Sequence, residues 1–351
     1  MTASPTIRFE QGPFSRETTM RWRAFLQDQP GSNFFQSPDY VELYDKCLAY
    51  KPVVLFAEEA SGSLVALLVA LIISDRVYGF PFRRMLVQGG PVVAHFYPNK
   101  AEILGCLLQN LREHIPGKTV FVEIRNLTLW DELGVVFQNH GFIWHDHLND
   151  LLPVSERAIT LSRIKPARQR QIRRGISNGA EIRPAGSVEE VEAFYHLLKE
   201  LYRRKVRKPL APKELFVSFY EKIQHENKGV LLLVIYKEVV IGGMVCPFSG
   251  DHTLHEWYIC SRQDHLKHLY PGVLATWGGI DYAMNHHFKY FDFMGIGIPG
   301  KPYGVRDFKT RFGGEVVNFG RWQLISNPLR YKLGLLGYKL LQFIPKSRRI
   351  R

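Results

Sequence analysis

The sequence predicts an α/β protein built from two mixed-sheet units in tandem. Three observations lead there. The chain has 351 residues, long for one compact core. Apolar runs of strand length alternate with amphipathic helical patterns throughout. Each half also closes on the same order of strands, a helix and another strand. No residue-level repeat accompanies this, so the repeat is one of architecture. The boundary is expected near Pro153–Arg157, giving units of 1–155 and 156–351.

The first half opens with a strand near Ile7–Phe9, then helices around Thr19–Phe25 and Pro38–Cys47. Strands follow at Val53–Glu58, Leu64–Ile73 and Met85–Val87. After Pro98-Asn99 a helix stripes Ile103, Leu107 and Leu111 on one face, and Pro116-Gly117 closes it. Thr119–Ile124 favours strand, Leu129–Asn139 helix ending at Gly141, and Phe142–His147 strand. In the second half a helix covers Lys165–Ser177. Ser187 with Glu190 forms a capping box for a helix expected to bury Val188, Val191, Phe194, Tyr195, Leu198, Leu201 and Tyr202 on one face, ended by Pro209. Strands are expected at Gly229–Tyr236, Val239–Phe248 and Thr253–Cys260, a helix at Gly272–His287, and a strand at Tyr290–Met294.

A composition of 46% hydrophobic and 23% charged residues is that of a folded globular chain. The net charge of +13 favours anionic partners: nucleic acid, anionic lipid or a phosphorylated substrate. Cys47, Cys106, Cys246 and Cys260 form no CxxC and read as reduced thiols of a cytosolic protein. The amino terminus lacks a basic stretch leading into an apolar run, so no secretory leader is expected. Leu64–Ile73, the longest apolar run, is too short to span a bilayer and reads as a buried strand.

Phe291–Glu315, FDFMGIGIPGKPYGVRDFKTRFGGE, is the most informative segment. It reads as a buried strand, a loop bent by glycine and proline, and a short helix stopping at Gly313-Gly314. Val305, Phe308 and Phe312 form the apolar face of that helix, and Asp307 is spaced to pair with Arg311. Lys309 has no acid at helical spacing: Val305, Arg306, Phe312 and Gly313 flank it. It is therefore available to an anion or a developing oxyanion, unless it is an ordinary solvated lysine.

The pattern FDFMGIG…YGVRDFKTRFGGE resembles the carboxy-terminal signature of the Fem family, the peptidoglycan bridge-forming, aminoacyl-tRNA-dependent transferases of the GNAT-like acyltransferase superfamily. NFFQSPDYVELY at Asn33–Tyr44 is similar to the family's amino-terminal element, and ARQRQIRRGISNG at Ala167–Gly179 to its basic helix. The Tyr270-Pro271…Trp277…Ala283 helix fits as well, so the resemblance covers nearly the whole chain. It implies two GNAT-like subdomains and attack of an amine on the ester of an aminoacyl-tRNA, forming a peptide bond on a muropeptide precursor. Lys309 stands at the position of the lysine that meets the acyl carbonyl, where a cation stabilises the tetrahedral oxyanion. Asp292 is a candidate to orient the amine or take its proton; a buried aspartate bonded to nearby backbone is the alternative. Phe308 and Tyr303 join the substrate side. Where the family often places a phosphate-binding lysine this chain has Tyr44, with Lys46 two residues on. Arg204 matches a second phosphate-binding position, within Arg203, Arg204, Lys205, Arg207 and Lys208; cations at a solvated helix end are the alternative.

Acetyl-CoA enzymes of the superfamily usually carry a glycine-rich loop whose amides cradle the pyrophosphate at a helix start. Here that place is filled by RQDHLKHLYPG, Arg262–Gly272, with no glycine until its end. Aminoacyl-tRNA is therefore the expected donor, with no cofactor, and acyl-CoA or acyl carrier protein the alternative. Arg168, Arg170, Arg173 and Arg174 on the basic helix are the expected tRNA or anion contacts; a solvated face or a lipid contact is the other reading. From Val316 onward there is no acid. Leu333, Leu336, Leu340 and Phe343 trace a stripe amid Arg330, Lys332, Lys339, Lys346, Arg348 and Arg349, which suits association with the cytoplasmic membrane face and a lipid-linked or UDP-linked muropeptide. A helix packed on its own domain fits equally. His145 with His147 and His252 with His255 complete no metal set, and no Ser–His–Asp order is apparent. A non-catalytic RNA- or lipid-binding relative is the alternative from a different class.

Overall fold

The structure, a computed structural model, describes residues 5–77, 80–206, 208–262 and 265–334. In chain order the elements are β1 (Thr6–Gln11), α1 (Arg16–Gln27), α2 (Pro38–Glu42), β2 (Tyr50–Glu58), β3 (Leu64–Val77), β4 (Phe80–Gly89), β5 (Val92–Val93), α3 (Lys100–Glu113), β6 (Thr119–Asn126), α4 (Gly134–Asn139) and β7 (Ile143–His145). There follow β8 (Leu148–Pro153), α5 (Arg157–Arg163), α6 (Pro166–Ser177), β9 (Glu181–Pro184), α7 (Val188–Leu201), α8 (Lys213–Ser218), β10 (Gly229–Tyr236), β11 (Val239–Ser249), β12 (Thr253–His255), β13 (Tyr258–Ser261), α9 (Pro271–Asn285), β14 (Tyr290–Gly297), α10 (Gly304–Lys309), β15 (Glu315–Asn318) and β16 (Arg321–Ile325).

These form two compact units. One holds the residues up to Pro30, Ala49–His145 and those from Arg321 on; the other holds Gly31–Leu48 and Asp146–Gly320. The middle crossing precedes the expected boundary by one strand. β8 pairs with β14 and β15 and so belongs to the second unit.

Each unit has an eight-stranded mixed sheet, ordered β1-β2-β3-β4-β6-β16-β7 with β5 on β3, and β15-β8-β14-β12-β11-β10-β9 with β13 on β11. Each sheet contains one parallel pair, β4 with β6 and β12 with β14, and a helix lies between the paired strands in sequence: α3 in one, α9 in the other. The expected architectural repeat is therefore real. In the first unit Ile103, Leu107 and Leu111 of α3 pack against Val53, Leu55, Leu68 and Val122. In the second, α9 is buried along most of its length and joins Leu232, Met244, Phe291 and Phe293 in one core.

The helix expected over Pro38–Cys47 ends at Glu42, and α7 passes into a π-helical turn at Tyr202–Val206. The strand expected over Thr253–Cys260 is broken at Glu256-Trp257 into β12 and β13. Residues 328–334 are helical; the rest of the expected amphipathic stripe, Leu336, Leu340 and Phe343, lies outside the described residues. Among the described residues no helix is long and apolar enough to cross a membrane.

α9 approaches its sheet closely because Gly279 has no side chain: a Cβ there falls 2.6 Å from the Phe291 ring and 3.0 Å from Met244 Sδ. Gly279→Ala is expected to lower stability by about 1–3 kcal/mol through overpacking, despite alanine's better helix propensity. Chemical unfolding checks this; an unchanged midpoint would mean that α9 does not pack as tightly as described.

Candidate active site

The break between β12 and β13 is where the site begins. Leu254 pairs with Phe248 of β11, and Tyr258 pairs with Val245 of the same strand. Between them the backbone changes neighbours. Glu256 N–H donates to Asp292 O on β14 at 2.8 Å, and Trp257 N–H to Val245 O at 3.0 Å. The Glu256 carboxylate is thereby held in the interior, 3% exposed. β14 is irregular at the same level: its register with β8 shifts between Asp292 and Gly295, and Met294 takes φ 58°. A left-handed non-glycine residue costs on the order of 1–3 kcal/mol. In return, Asp292 Oδ1 accepts the Met294 N–H at 2.7 Å, and the Phe293 carbonyl accepts from Lys309 Nζ.

Lys309 arrives at that carbonyl because its short helix is fixed on several sides. Arg306 donates to Ile296 O at 3.1 Å, to Lys301 O at 3.2 Å and to Ile298 O, tying down the loop before α10. Beyond α10 a 3₁₀ turn, Thr310–Phe312, ends at Gly313 with φ 86°. A Cβ on Gly313 would lie 2.3 Å from Arg163 O, and Lys165 N–H donates to Arg311 O at 3.0 Å. The α5–α6 corner thus clamps the Lys309 turn.

Lys309 Nζ lies 2.8 Å from Glu256 Oε1, with the lysine 7% exposed. Its expected partnerless state holds only along its own helix. The acid comes from a different strand, a pairing that helical spacing cannot reveal. Asp150 of β8 and Asp292 are also fully or nearly fully buried. Neither oxygen of Asp150 has a hydrogen-bond partner among the described residues. The Asp150 carboxyl is raised to about 6, chiefly by burial; Lys309 opposes the rise, and Asp292 and Glu256 add to it. Burial likewise raises Glu256, against the pull of Lys309.

A second polar chain leaves Asp292. Its Oδ2 lies 3.2 Å from His255 Nδ1, and His255 Nε2 lies 2.7 Å from Ser249 Oγ. With Nδ1–H donating to Asp292, Nε2 accepts the serine hydroxyl. Ser249 Oγ in turn accepts the Phe34 N–H at 3.0 Å. The Ser–His–Asp set not apparent in the sequence is therefore present in space. All three residues are buried, and the bonds fasten the Gly31–Leu48 excursion to β11. Phe34, Phe35 and Tyr40 of that excursion pack edge-on or tilted around Trp257.

Of the residues singled out in the sequence, the structure brings Lys309 and Asp292 into one cluster. Asp292 adopts the backbone-bonded arrangement. Phe308 is half-buried beneath the Arg168 guanidinium, whose carbon sits 4.4 Å from the ring centre. Arg168 is 8% exposed, a buried cation on Phe308 and Phe312 rather than a surface phosphate contact. Arg170, Arg173 and Arg174 are exposed. Tyr303 is exposed with its ring against Gly297. Tyr44 is buried, its hydroxyl 3.3 Å from that of Tyr40, and Lys46 is exposed, 3.9 Å from Glu221. Arg204 is exposed, paired with Glu200 at 2.7 Å, and lines a cavity of about 420 Å³ with Lys205, Ser261 and Arg262. Sequence reasoning missed Glu256, Asp150, His255 and Ser249 as site residues. The available signal was a single acid inside each of two apolar strand runs, LHEWYIC and LNDLLP.

Residues 166–310 match the family model of the acetyltransferase (GNAT) domain. The chain is a GNAT-fold acyltransferase. Its fold is similar to that of FemX, with a TM-score of 0.67 at 15% identity over 92% of this chain and 99% of that one. The acyltransferase is also similar to the C-terminal domain of a putative lysylphosphatidylglycerol synthetase from Agrobacterium fabrum, at TM-score 0.57, 10% identity and 93% and 96% coverage. A tandem GNAT protein from the clavulanic acid biosynthesis pathway shares the fold at TM-score 0.54, 10% identity and 92% and 99% coverage. No curated protein matches in sequence. The tandem architecture implied by the Fem resemblance is thus the one the acyltransferase has.

A carboxylate whose pKa is raised by folding adds stability below its unfolded value and loses it as pH climbs through the folded value. For Asp150 that window runs from its ordinary carboxylate value to about 6. Above it, ionising the buried group costs on the order of 2–3 kcal/mol at about 1.4 kcal/mol per pH unit. Asp150→Asn is therefore expected to raise Tm at pH 7.5, with the gain shrinking toward pH 4. A lower Tm at both pH values would contradict the assigned environment.

Proposed function

We propose that the acyltransferase moves an aminoacyl group from aminoacyl-tRNA onto an amine of a muropeptide precursor, in the manner of the Fem enzymes. The observation that carries the choice of donor is the start of α9. Tyr270 stands there at φ 53°, Pro271 supplies no N–H, and Val273 and Leu274 donate to Tyr270 O at 2.9 and 3.0 Å. Of the first-turn amides this leaves Gly272, too little to cradle a coenzyme A pyrophosphate by the usual means. An ester donor brought by tRNA needs no such cradle and no cofactor.

Lys309 suits the acyl carbonyl. Of its three N–H donors, one meets the Phe293 carbonyl and one faces Glu256, leaving a third for an oxyanion. It is also the most exposed member of its cluster. Arg204 with Lys205 and Arg262 gives the cavity beside the π-helical turn a basic rim suited to the acceptor's phosphates. Tyr303, exposed, and Phe308, half-buried, lie at the start of and within α10 beside Lys309, and Tyr44 and Lys46 sit on the excursion from the amino-terminal half. Arg170, Arg173 and Arg174 offer an exposed row of guanidinium groups to tRNA phosphates. The fold shared with a protein named for a lysyl group on a lipid supports a lipid-borne acceptor.

The test incubates the full chain with labelled aminoacyl-tRNAs and, separately, acyl-CoAs, each with lipid-linked and UDP-linked muropeptide. Transfer from an aminoacyl-tRNA, abolished by RNase, is expected. Transfer from acyl-CoA that RNase leaves intact would overturn the donor; RNA or lipid binding without any transfer would favour a non-catalytic relative.

A further inference from the structure

We propose that His255 is a positioning residue of this transfer, holding Lys309 in register through Asp292. The inference rests on the aminoacyl-transfer function proposed above, in which Lys309 meets the acyl carbonyl. Its basis is an unbroken series of hydrogen bonds within one unit. Ser249 Oγ accepts the Phe34 N–H at 3.0 Å and lies 2.7 Å from His255 Nε2, while His255 Nδ1 lies 3.2 Å from Asp292 Oδ2. Asp292 Oδ1 accepts the Met294 N–H at 2.7 Å, and the Phe293 carbonyl accepts from Lys309 Nζ. The last two bonds grip opposite ends of a single peptide group. That group is planar, so a turn of the Met294 N–H carries the Phe293 carbonyl with it. Asp292 therefore sets the direction of the carbonyl on which the ammonium rests.

Asp292 can do this only if its carboxylate is itself fixed. Oδ1 is held by Met294 and Oδ2 by His255, and the aspartate is 2% exposed, so no bulk water replaces a lost partner. His255 is fixed in turn. Its backbone is paired with Asp292 between the parallel strands β12 and β14. Its ring meets Phe35 edge-on, 5.7 Å between centres, and Ser249 ties its far nitrogen to the Phe34 amide. The excursion thus supports Lys309 from a distance. The same side chains make no nucleophile: Ser249 already accepts a backbone N–H, and His255 is 3% exposed, so neither reaches an ester.

An ammonium that acts on the oxyanion affects the transition state more than the bound substrates, so its displacement appears in kcat and leaves KM nearly unmoved. The two ring nitrogens can be replaced separately: asparagine carries an amide nitrogen near the place of Nδ1, and glutamine one bond farther, near Nε2. His255→Gln is expected to lower kcat on the order of 10²-fold, with KM for donor and acceptor little changed, and His255→Asn to recover most of that rate. Equal kcat in the three proteins, or His255→Asn no faster than His255→Gln, would overturn the proposal, because a residue that only stabilises the fold does not rank its replacements by the bond they keep. A second measurement needs neither substrate nor variant. In the wild-type full chain carrying ¹⁵N-histidine, His255, assigned by its contact with the Phe35 ring, should show a slowly exchanging hydrogen on Nδ1. A ring with no hydrogen there cannot donate to Asp292 and overturns the proposal by itself. That hydrogen present, with no wild-type transfer from any donor, counts against the proposed function instead.

Discussion

The site depends on one buried ion pair, Lys309 with Glu256 at 2.8 Å. Removing both charges from water costs several kcal/mol per ion, and their attraction repays it only with good geometry and further hydrogen bonds. The local backbone meets that condition. The break between β12 and β13 turns Glu256 inward while satisfying its amide on β14. The left-handed Met294 frees the Phe293 carbonyl for the lysine. Gly313 lets the turn after Lys309 press against the α5–α6 corner. Each irregularity is unfavourable alone, and together they hold one ammonium.

That ammonium is outnumbered. Asp150, Asp292 and Glu256 act on one another beside it, and the surplus negative charge is managed differently at each. Asp292 is bound by a histidine and a backbone amide, and Glu256 by the lysine. Asp150 has no hydrogen-bond donor among the described residues, and its carboxyl is raised to about 6, chiefly by burial.

The elements that sequence reasoning found are those whose cause is local. β10 and β11 are unbroken apolar runs, α3 and α9 follow from periodicity and proline starts, and the end of the Lys309 turn follows from Gly313. What it missed has a tertiary cause. β8 contains Asn149 and Asp150, residues that strands disfavour, and it exists because β14 and β15 flank it. The break at Glu256 reflects a change of neighbouring strand, invisible along a run as apolar as LHEWYIC. The same limit governed the site. Lys309 stood out by lacking a partner at helical spacing, but a partner from another strand leaves no local trace. Arg168 counted as one arginine among many until the structure placed it on Phe308 and Phe312.

The most direct measurement is a double-mutant cycle on the pair, Lys309→Met with Glu256→Gln, read by chemical unfolding of the full chain. Each single change strands or deprives a buried group and should cost on the order of 3 kcal/mol. The double variant removes both charges together and should lose far less than the sum of the two, a large coupling energy. Strictly additive losses would show that the two residues do not depend on each other, and the buried pair would no longer explain the backbone around it.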